Sequence, residues 1–164
     1  MGVRSLGNAL ASFGYKFGTT GLEAVTPAPD PEGLTATGGV ISDYTAPGGI
    51  YRAHIFTSSG TFAVSSIGNL PTSVEYVVVA GGGAGGNRNG GGGGAGGYRS
   101  SVTGESTGGG GSLETALSVS ATSYTVTIGA GGVGGEDVYY GGQSGGNSSI
   151  SGPDITTVTS TGGG

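Results

Sequence analysis

Seventeen consecutive positions, 81–97, hold twelve glycines, and they follow, after Ala80, the β-branched run Val77-Val78-Val79. Glycine loses more conformational freedom on ordering than any other residue and has no side chain to bury. A run of this length is therefore either a tether or a segment whose order only glycine permits. Further glycine-rich patches stand at 104–111, 129–135, 141–146 and 162–164. Flexible linkers mix in Ser, Thr, Lys or Glu and lead to a new domain. Here each patch between strands is followed by another strand-like stretch. The reading adopted is ordered backbone: extended, polyproline-II-like glycine segments in which a missing Cβ lets chains approach and hydrogen-bond sideways.

Gly81, Gly83 and Gly86 after the valines satisfy the G-x-G-x-x-G spacing of dinucleotide-binding turns. That motif needs a helix opening at its last glycine to hold the pyrophosphate. Asn87-Arg88-Asn89 and five more glycines follow instead, and each glycine costs a helix about 1 kcal/mol. The spacing is the chance product of 42 glycines in 164 residues, and no nucleotide cofactor is expected.

The net charge of −5 rests on few charged residues, and the five basic ones, at 4, 16, 52, 88 and 99, form no stripe. A nucleic-acid partner is not expected. With no cysteine, neither a disulfide nor a thiolate metal site can staple the fold. No apolar run reaches signal-peptide or membrane-spanning length, and Leu6 stands where a myristoylation signal needs Ser or Thr. Neither membrane insertion nor a lipid anchor is expected.

Residues 1–36 differ from the rest. Val3, Leu6, Leu10, Phe13 and Phe17 recur at spacings of three and four, but Gly7, Gly14 and Gly18 weaken a helix, and two heptads do not stand alone. The segment reads as an extended arm, and those five side chains are the candidates for attachment to a partner or to copies of the same chain. Pro27, Pro29 and Pro31 make a stiff spacer. The domain division expected is an arm and linker at 1–36, then a β domain at 37–164.

In that domain, 51–56 and 61–64 read as strands joined by a Ser58-Ser59-Gly60 hairpin loop. Further strands are expected at 74–80, 113–119, 124–128, 148–150 and 155–159, with Tyr124, Val126 and Ile128 on one face. Six to eight short strands predict an all-β fold, an antiparallel β-sandwich with glycine-rich loops preceded by an extended N-terminal arm. The expected core is Phe56, Phe62, Val64, Tyr76, Val78, Val119, Tyr124, Val126, Ile128 and Ile150, with the apolar run 77–79 placed centrally. Such a core is thin at roughly 25 cal/mol per Å² of apolar burial, so stability is expected to draw on oligomerisation.

Chemistry is sparse. The one histidine, His54, shares a strand face with Arg52, opposite Tyr51, Ala53 and Ile55, and is expected at a solvated or edge position with no nucleophile signature beside it. Glu75, Glu105 and Glu114 are scattered. Residues 131–139 approach the calcium nonapeptide G-G-x-G-x-D-x-U-x once, with Glu136 in the Asp place. An ion in that motif sits between successive repeats, so no metal is assigned. Arg88, Tyr98, Arg99, Asp137, Tyr139 and Tyr140 are the side chains expected to project from bare loops and are the candidates for surface recognition of sugars or proteins. The tyrosines equally suit a gap-filling role between packed glycine segments.

In order along the chain, HIFTSSGTFAV, SVEYVVVAGGGAGG, GGGGGAGGYRSS, SYTVTIGAGGVGG, GGNSSIS and STGGG resemble, over roughly residues 50–164, the glycine-rich domain of bacteriophage virion proteins. That resemblance implies a structural or host-contacting role without catalysis: a tail fibre or adhesin on the particle exterior, or alternatively a capsid decoration or head fibre. It also implies other virion proteins as partners of the arm, a homotrimer by analogy with fibres, and a host surface glycan or protein as ligand. A cellular glycine-rich matrix protein is a more distant alternative that would carry periodic repeats and a secretion signal.

Overall fold

In the computed structural model, residues 30, 32–46, 49–135 and 141–164 are described. Apart from residue 30, they belong to a compact unit, Pro31–Gly164. The attachment candidates Val3, Leu6, Leu10, Phe13 and Phe17 lie outside the described residues, as do Asp137, Tyr139 and Tyr140.

The described residues are all-β, with every strand pairing antiparallel and no helix. A five-stranded sheet is ordered β1 (Thr35–Thr37), β4 (Gly60–Ser66), β9 (Ser123–Thr127), β10 (Ser148–Gly152) and β11 (Ile155–Ser160). Three two-stranded pairings accompany it: β2 (Val40–Ala46) with β3 (Gly49–Ile55), β5 (Ser73–Val74) with β8 (Leu117–Ser118), and β6 (Val77–Val79) with β7 (Tyr98–Ser100). Strand β1 straddles the division expected at 36/37.

The core follows the two-residue period of the strands. Phe62, Val64, Tyr124 and Val126 alternate inward from β4 and β9 and meet Ala36 and Val119. Phe56, Ile128 and Ile150 pack on this cluster half-buried. Tyr124 is fully buried because its hydroxyl finds partners, donating to Asp154 Oδ2 at 2.9 Å and accepting from the Ser120 amide.

Two expectations are corrected. Strands β3 and β4 do not form a hairpin with each other: β3 pairs over seven residues with β2, whereas β4 lies between β1 and β9. The reason lies in Gly38 and Gly39, whose positive φ values of 112° and 64° turn the chain so that Val40–Ala46 falls beside Gly49–Ile55. Second, 77–79 is not central, since Val77 and Val79 are exposed on a pairing of three residues a side. His54 lies on an edge strand, β3 of the two-stranded β2–β3 pairing, and is half-buried: its ring meets the Phe62 ring edge-on at 5.0 Å, and Nδ1 lies 2.8 Å from the Gly38 carbonyl oxygen. Its sharing a strand face with Arg52, away from Tyr51, Ala53 and Ile55, agrees with the observed register.

Five glycine segments continue five of these strands. β6 runs into 80–86, 90–97 runs into β7, β9 into 129–135, 141–147 into β10, and β11 into 161–164. Their hydrogen bonds run from backbone to backbone between segments and repeat every third residue. Ala80, Gly83 and Gly86 donate to the carbonyls of Gly97, Gly94 and Gly91; Gly81 and Ala84 donate to those of Gly146 and Gln143. Gly82 and Gly85 donate none, but the Gly82 carbonyl accepts from Gly132. Gly146 and Gln143 in turn donate to Ala130 and Val133, Gly97 and Gly94 to Thr161 and Gly164, and Gly163 to Gly81. Segment 80–86 thus touches all four others.

A pleated strand repeats by two; these bonds repeat by three. The physical cause is the missing side chain. Sheets faced with side chains pack about 10 Å apart, whereas layers of glycine close until one layer's amides reach the next layer's carbonyls. A Cβ added at Gly81, Gly96, Gly129, Gly132, Gly142, Gly145, Gly162 or Gly163 would stand under 3.0 Å from a neighbouring backbone carbonyl. The patch at 104–111 does not join in. Gly104, Gly109 and Gly110 take positive φ, and a Cβ on any of them would meet nothing within 4 Å. They shape a loop.

Candidate functional site

The side chains able to do chemistry gather where glycine segments meet strands. Tyr98 and Arg99 stand on β7, which follows the last glycine of segment 90–97. The excursion 101–116 folds back over them: Ser101 donates its amide to Tyr76, Gly108 to Tyr98 and Glu114 to Ser100. These bonds place the Glu114 carboxylate against the Arg99 guanidinium in a two-pronged pair, Nε to Oε1 at 2.8 Å and Nη2 to Oε2 at 2.6 Å. Tyr76 Oη donates to Oε2 at 2.5 Å and Thr107 Oγ1 to Oε1 at 2.9 Å.

The electrostatics follow from these donors. Arg99, helped by Tyr76 and Thr107, holds the Glu114 carboxyl down at about 2 against the cost of its burial. Burial first, then the bond to Glu114, pushes the Tyr76 phenol up to about 12. Beside them, Tyr98 and Ser100 both donate to Glu105 and lower its pKa. Arg99 therefore presents no free charge, since its remaining nitrogen, Nη1, donates to the Thr159 carbonyl at 3.2 Å.

A shallow cavity of about 600 Å³ lies over this junction, lined by Gly97, Tyr98, Arg99, Gly108, Ser160 and Thr161 among others. Ser160 is buried, and its Oγ has no hydrogen-bond partner. It sits so close to Gly97 that a Cβ there would be 2.7 Å from it.

Of the recognition candidates, the structure brings Tyr98 and Arg99 together at this junction and sets Arg88 elsewhere. Arg88 is exposed in the turn that closes segments 80–86 and 90–97, beyond their outermost bond from Gly86 to Gly91. It is the one non-glycine residue with positive φ among those described, at 51°, and its backbone N–H donates a hydrogen bond to Asn87 Oδ1. At about 3.3 Å per residue of extended chain, that turn stands roughly 20 Å from the junction. Gly86 and Gly141 come close there, since a Cβ on Gly86 would lie 3.9 Å from Gly141 Cα.

Sequence reasoning missed the roles of Glu114, Tyr76 and Thr107, whose pairing depends on a loop excursion with no local signature. Ser100, Ser101, Ser148 and Ser160, all buried, were also missed. A serine close to three of the glycine segments, Ser100 after 90–97, Ser148 after 141–147 and Ser160 before 161–164, was the available signal: Ser148 accepts from the Gly129 amide and Ser101 from that of Tyr76. Among the described residues no three His, Asp or Glu side chains are placed to hold a metal ion. No helix among them is long and apolar enough to cross a membrane.

The fold and the junction thus define an all-β protein whose strands extend into interlocked glycine segments. A family model described as a glycine-rich domain matches residues 57–164, and the chain belongs to that glycine-rich domain family. No curated protein matches the chain. No solved structure matches it either.

Proposed function

We propose that the protein is a structural component of a bacteriophage particle, a tail fibre or adhesin whose arm at 1–36 docks on other virion proteins and whose glycine-rich domain faces outward. In this reading the sheets form a β-sandwich, and the five glycine segments a bundle of polyproline-II-like helices. The assembly is a homotrimer that meets a host glycan or protein through the exposed end carrying Arg88.

The single observation that carries the reading is the backbone-to-backbone bonding of the five segments, in which a carbonyl blocks the room for a side chain at position after position. Such construction yields a stiff surface of low charge and little chemistry, suited to bearing load and presenting loop tips. The family match supports the glycine-rich domain, and the resemblance in segment order supports the particle.

The test is deletion of residues 1–36 in a phage that encodes the chain, with the protein located on purified particles by gold-labelled antibody. The expected result is label at the tail in the wild type, and none on particles made with the truncated chain, while the truncated protein keeps its β circular dichroism. Label on the capsid would favour a decoration role; no label on wild-type particles would refute the virion reading.

A further inference from the structure

The turn that closes segments 80–86 and 90–97 holds an asparagine placed unlike the others. Asn69, Asn87 and Asn147 each fix their side-chain amide by accepting a backbone N–H, from Glu32 at 2.8 Å, Arg88 at 2.7 Å and Gly162 at 2.9 Å. Asn89 is exposed, and its side chain makes no such bond among the described residues. It is also the one asparagine of the chain that glycine follows.

The nitrogen best placed to reach an asparagine Cγ is the backbone nitrogen of the next residue, since their union closes a five-membered ring. A side chain on that next residue crowds the approach, and Gly90 has none. Leu70, Arg88 and Ser148 follow the other three asparagines. The turn itself controls access, because the Gly90 N–H donates to the Asn87 carbonyl at 3.0 Å and is held while the turn is closed. Two features favour opening. The turn has positive φ at its second residue, Arg88 at 51°, where glycine stands in a type II′ turn and an L-residue is strained. Next to it Gly91 and Gly92 lie in open space, where an added Cβ would meet nothing within 4 Å.

We propose that Asn89 is a site of spontaneous deamidation, released when the turn at 87–90 opens. Base removes the Gly90 amide proton and the nitrogen attacks Asn89 Cγ. The N–Cγ bond forms, the Cγ–Nδ2 bond breaks, and Nδ2 regains a proton through water and leaves as ammonia. Water then opens the five-membered imide at one of its two carbonyls. Attack at Cγ gives aspartate; attack at the main-chain carbonyl carbon gives isoaspartate, with the chain running through Cγ. One water enters, one ammonia leaves and no electrons are exchanged. Either product sets a carboxylate beside Arg88, the one described arginine with no carboxylate partner, since Arg52 pairs with Asp43 and Arg99 with Glu114. The cationic end of the two segments thereby becomes neutral as the protein ages. This chemistry is indifferent to whether that end meets a host.

The test is incubation of the full-length chain in mildly alkaline buffer made with heavy-oxygen water, followed by peptide mapping by mass spectrometry. Asn89 is expected to convert to a mixture of aspartate and isoaspartate, each carrying one heavy oxygen, before Asn69, Asn87 or Asn147 shows measurable loss of its amide. Asn89→Gln, whose ring would need six members, is expected to abolish conversion at that position. Arg88→Gly relieves the strain that favours opening and is expected to slow conversion, and unfolding in guanidinium chloride, which removes the Gly90 bond, is expected to speed it. Loss at Asn89 no faster than at the other three, or aspartate without isoaspartate, would overturn the proposal. A rate unchanged by unfolding, or not slowed by Arg88→Gly, would overturn the part given to the turn. Failure of the particle-labelling experiment would leave these results untouched.

Discussion

At the residue scale the sharpest contrast is between glycines that are needed and glycines that are not. A Cβ at Gly132 would strike the Gln143 carbonyl and the Ala84 amide, while one at Gly92 would meet nothing within 4 Å, and neither has positive φ. Gly132→Ala is expected to cost about 3 kcal/mol, the upper range for forced overpacking. Gly92→Ala is expected to be neutral or to stabilise by roughly 0.5 kcal/mol through the unfolded chain. Urea midpoints of the two variants check this; equal effects would contradict it. The sequence could not make the distinction, because Gly92 and Gly132 stand in equally glycine-rich text and differ only in what lies across from them.

The Glu114 clamp carries a pH signature. The carboxyl titrates near 4.5 when unfolded and at about 2 when folded. Below 4.5 the unfolded chain therefore takes up the proton first, and the stability contributed above that pH is lost as pH falls towards 2. Tyr76 works at the other end. Its phenol is raised from 10.0 to about 12 in the fold, so its contribution is complete below pH 10 and fades as pH climbs to about 12. Glu114→Gln is expected to lower stability at pH 7 by about 1–2 kcal/mol, allowing for the water that reaches Arg99. It is also expected to flatten the slope between pH 4.5 and 2. Urea titrations at a series of pH values measure both, and an unchanged slope would show that the clamp is not coupled to folding.

At the scale of elements, strand and glycine segment form one continuous unit that changes its repeat from two to three where side chains run out. The two-residue pattern was legible: Tyr124, Val126, Phe62 and Val64 announce inward faces by alternation alone, and all four are buried. Partner choice was not legible. Short apolar runs such as 51–56 and 61–64 satisfy the hairpin pattern equally well with either neighbour, and Gly38-Gly39 decides in favour of Val40–Ala46. The place of 77–79 was misread because three adjacent valines suggest burial on both sides. Strand β6 instead turns Val77 and Val79 outward and stacks on β10 and β11. In the core, the knot of Tyr124, Ser120 and Asp154 is the polar feature most open to test. Tyr124→Phe removes the bond to Asp154 and is expected to cost about 1–2 kcal/mol, read as a lowered thermal midpoint with no change in the circular dichroism spectrum.

At the scale of the molecule, a thin side-chain core is supplemented by a second interior made of backbone. The first is the cluster around Phe62 and Tyr124; the second has amides and carbonyls where a core has methyl groups. That division was partly visible beforehand, since glycine segments each following or preceding a strand do not behave as linkers. The candidate site was less visible. Tyr98 and Arg99 stood out as side chains among glycines, but nothing local showed that Glu105 and Glu114 would occupy them. The central claim is that the glycine segments are interlocked at a repeat of three. Amide hydrogen exchange, followed residue by residue by nuclear magnetic resonance, tests it most directly. Protection is expected at Ala80, Gly81, Gly83, Ala84 and Gly86, with Gly82 and Gly85 exchanging fast between them. Uniformly fast exchange across 80–97, or protection at every second residue, would contradict it.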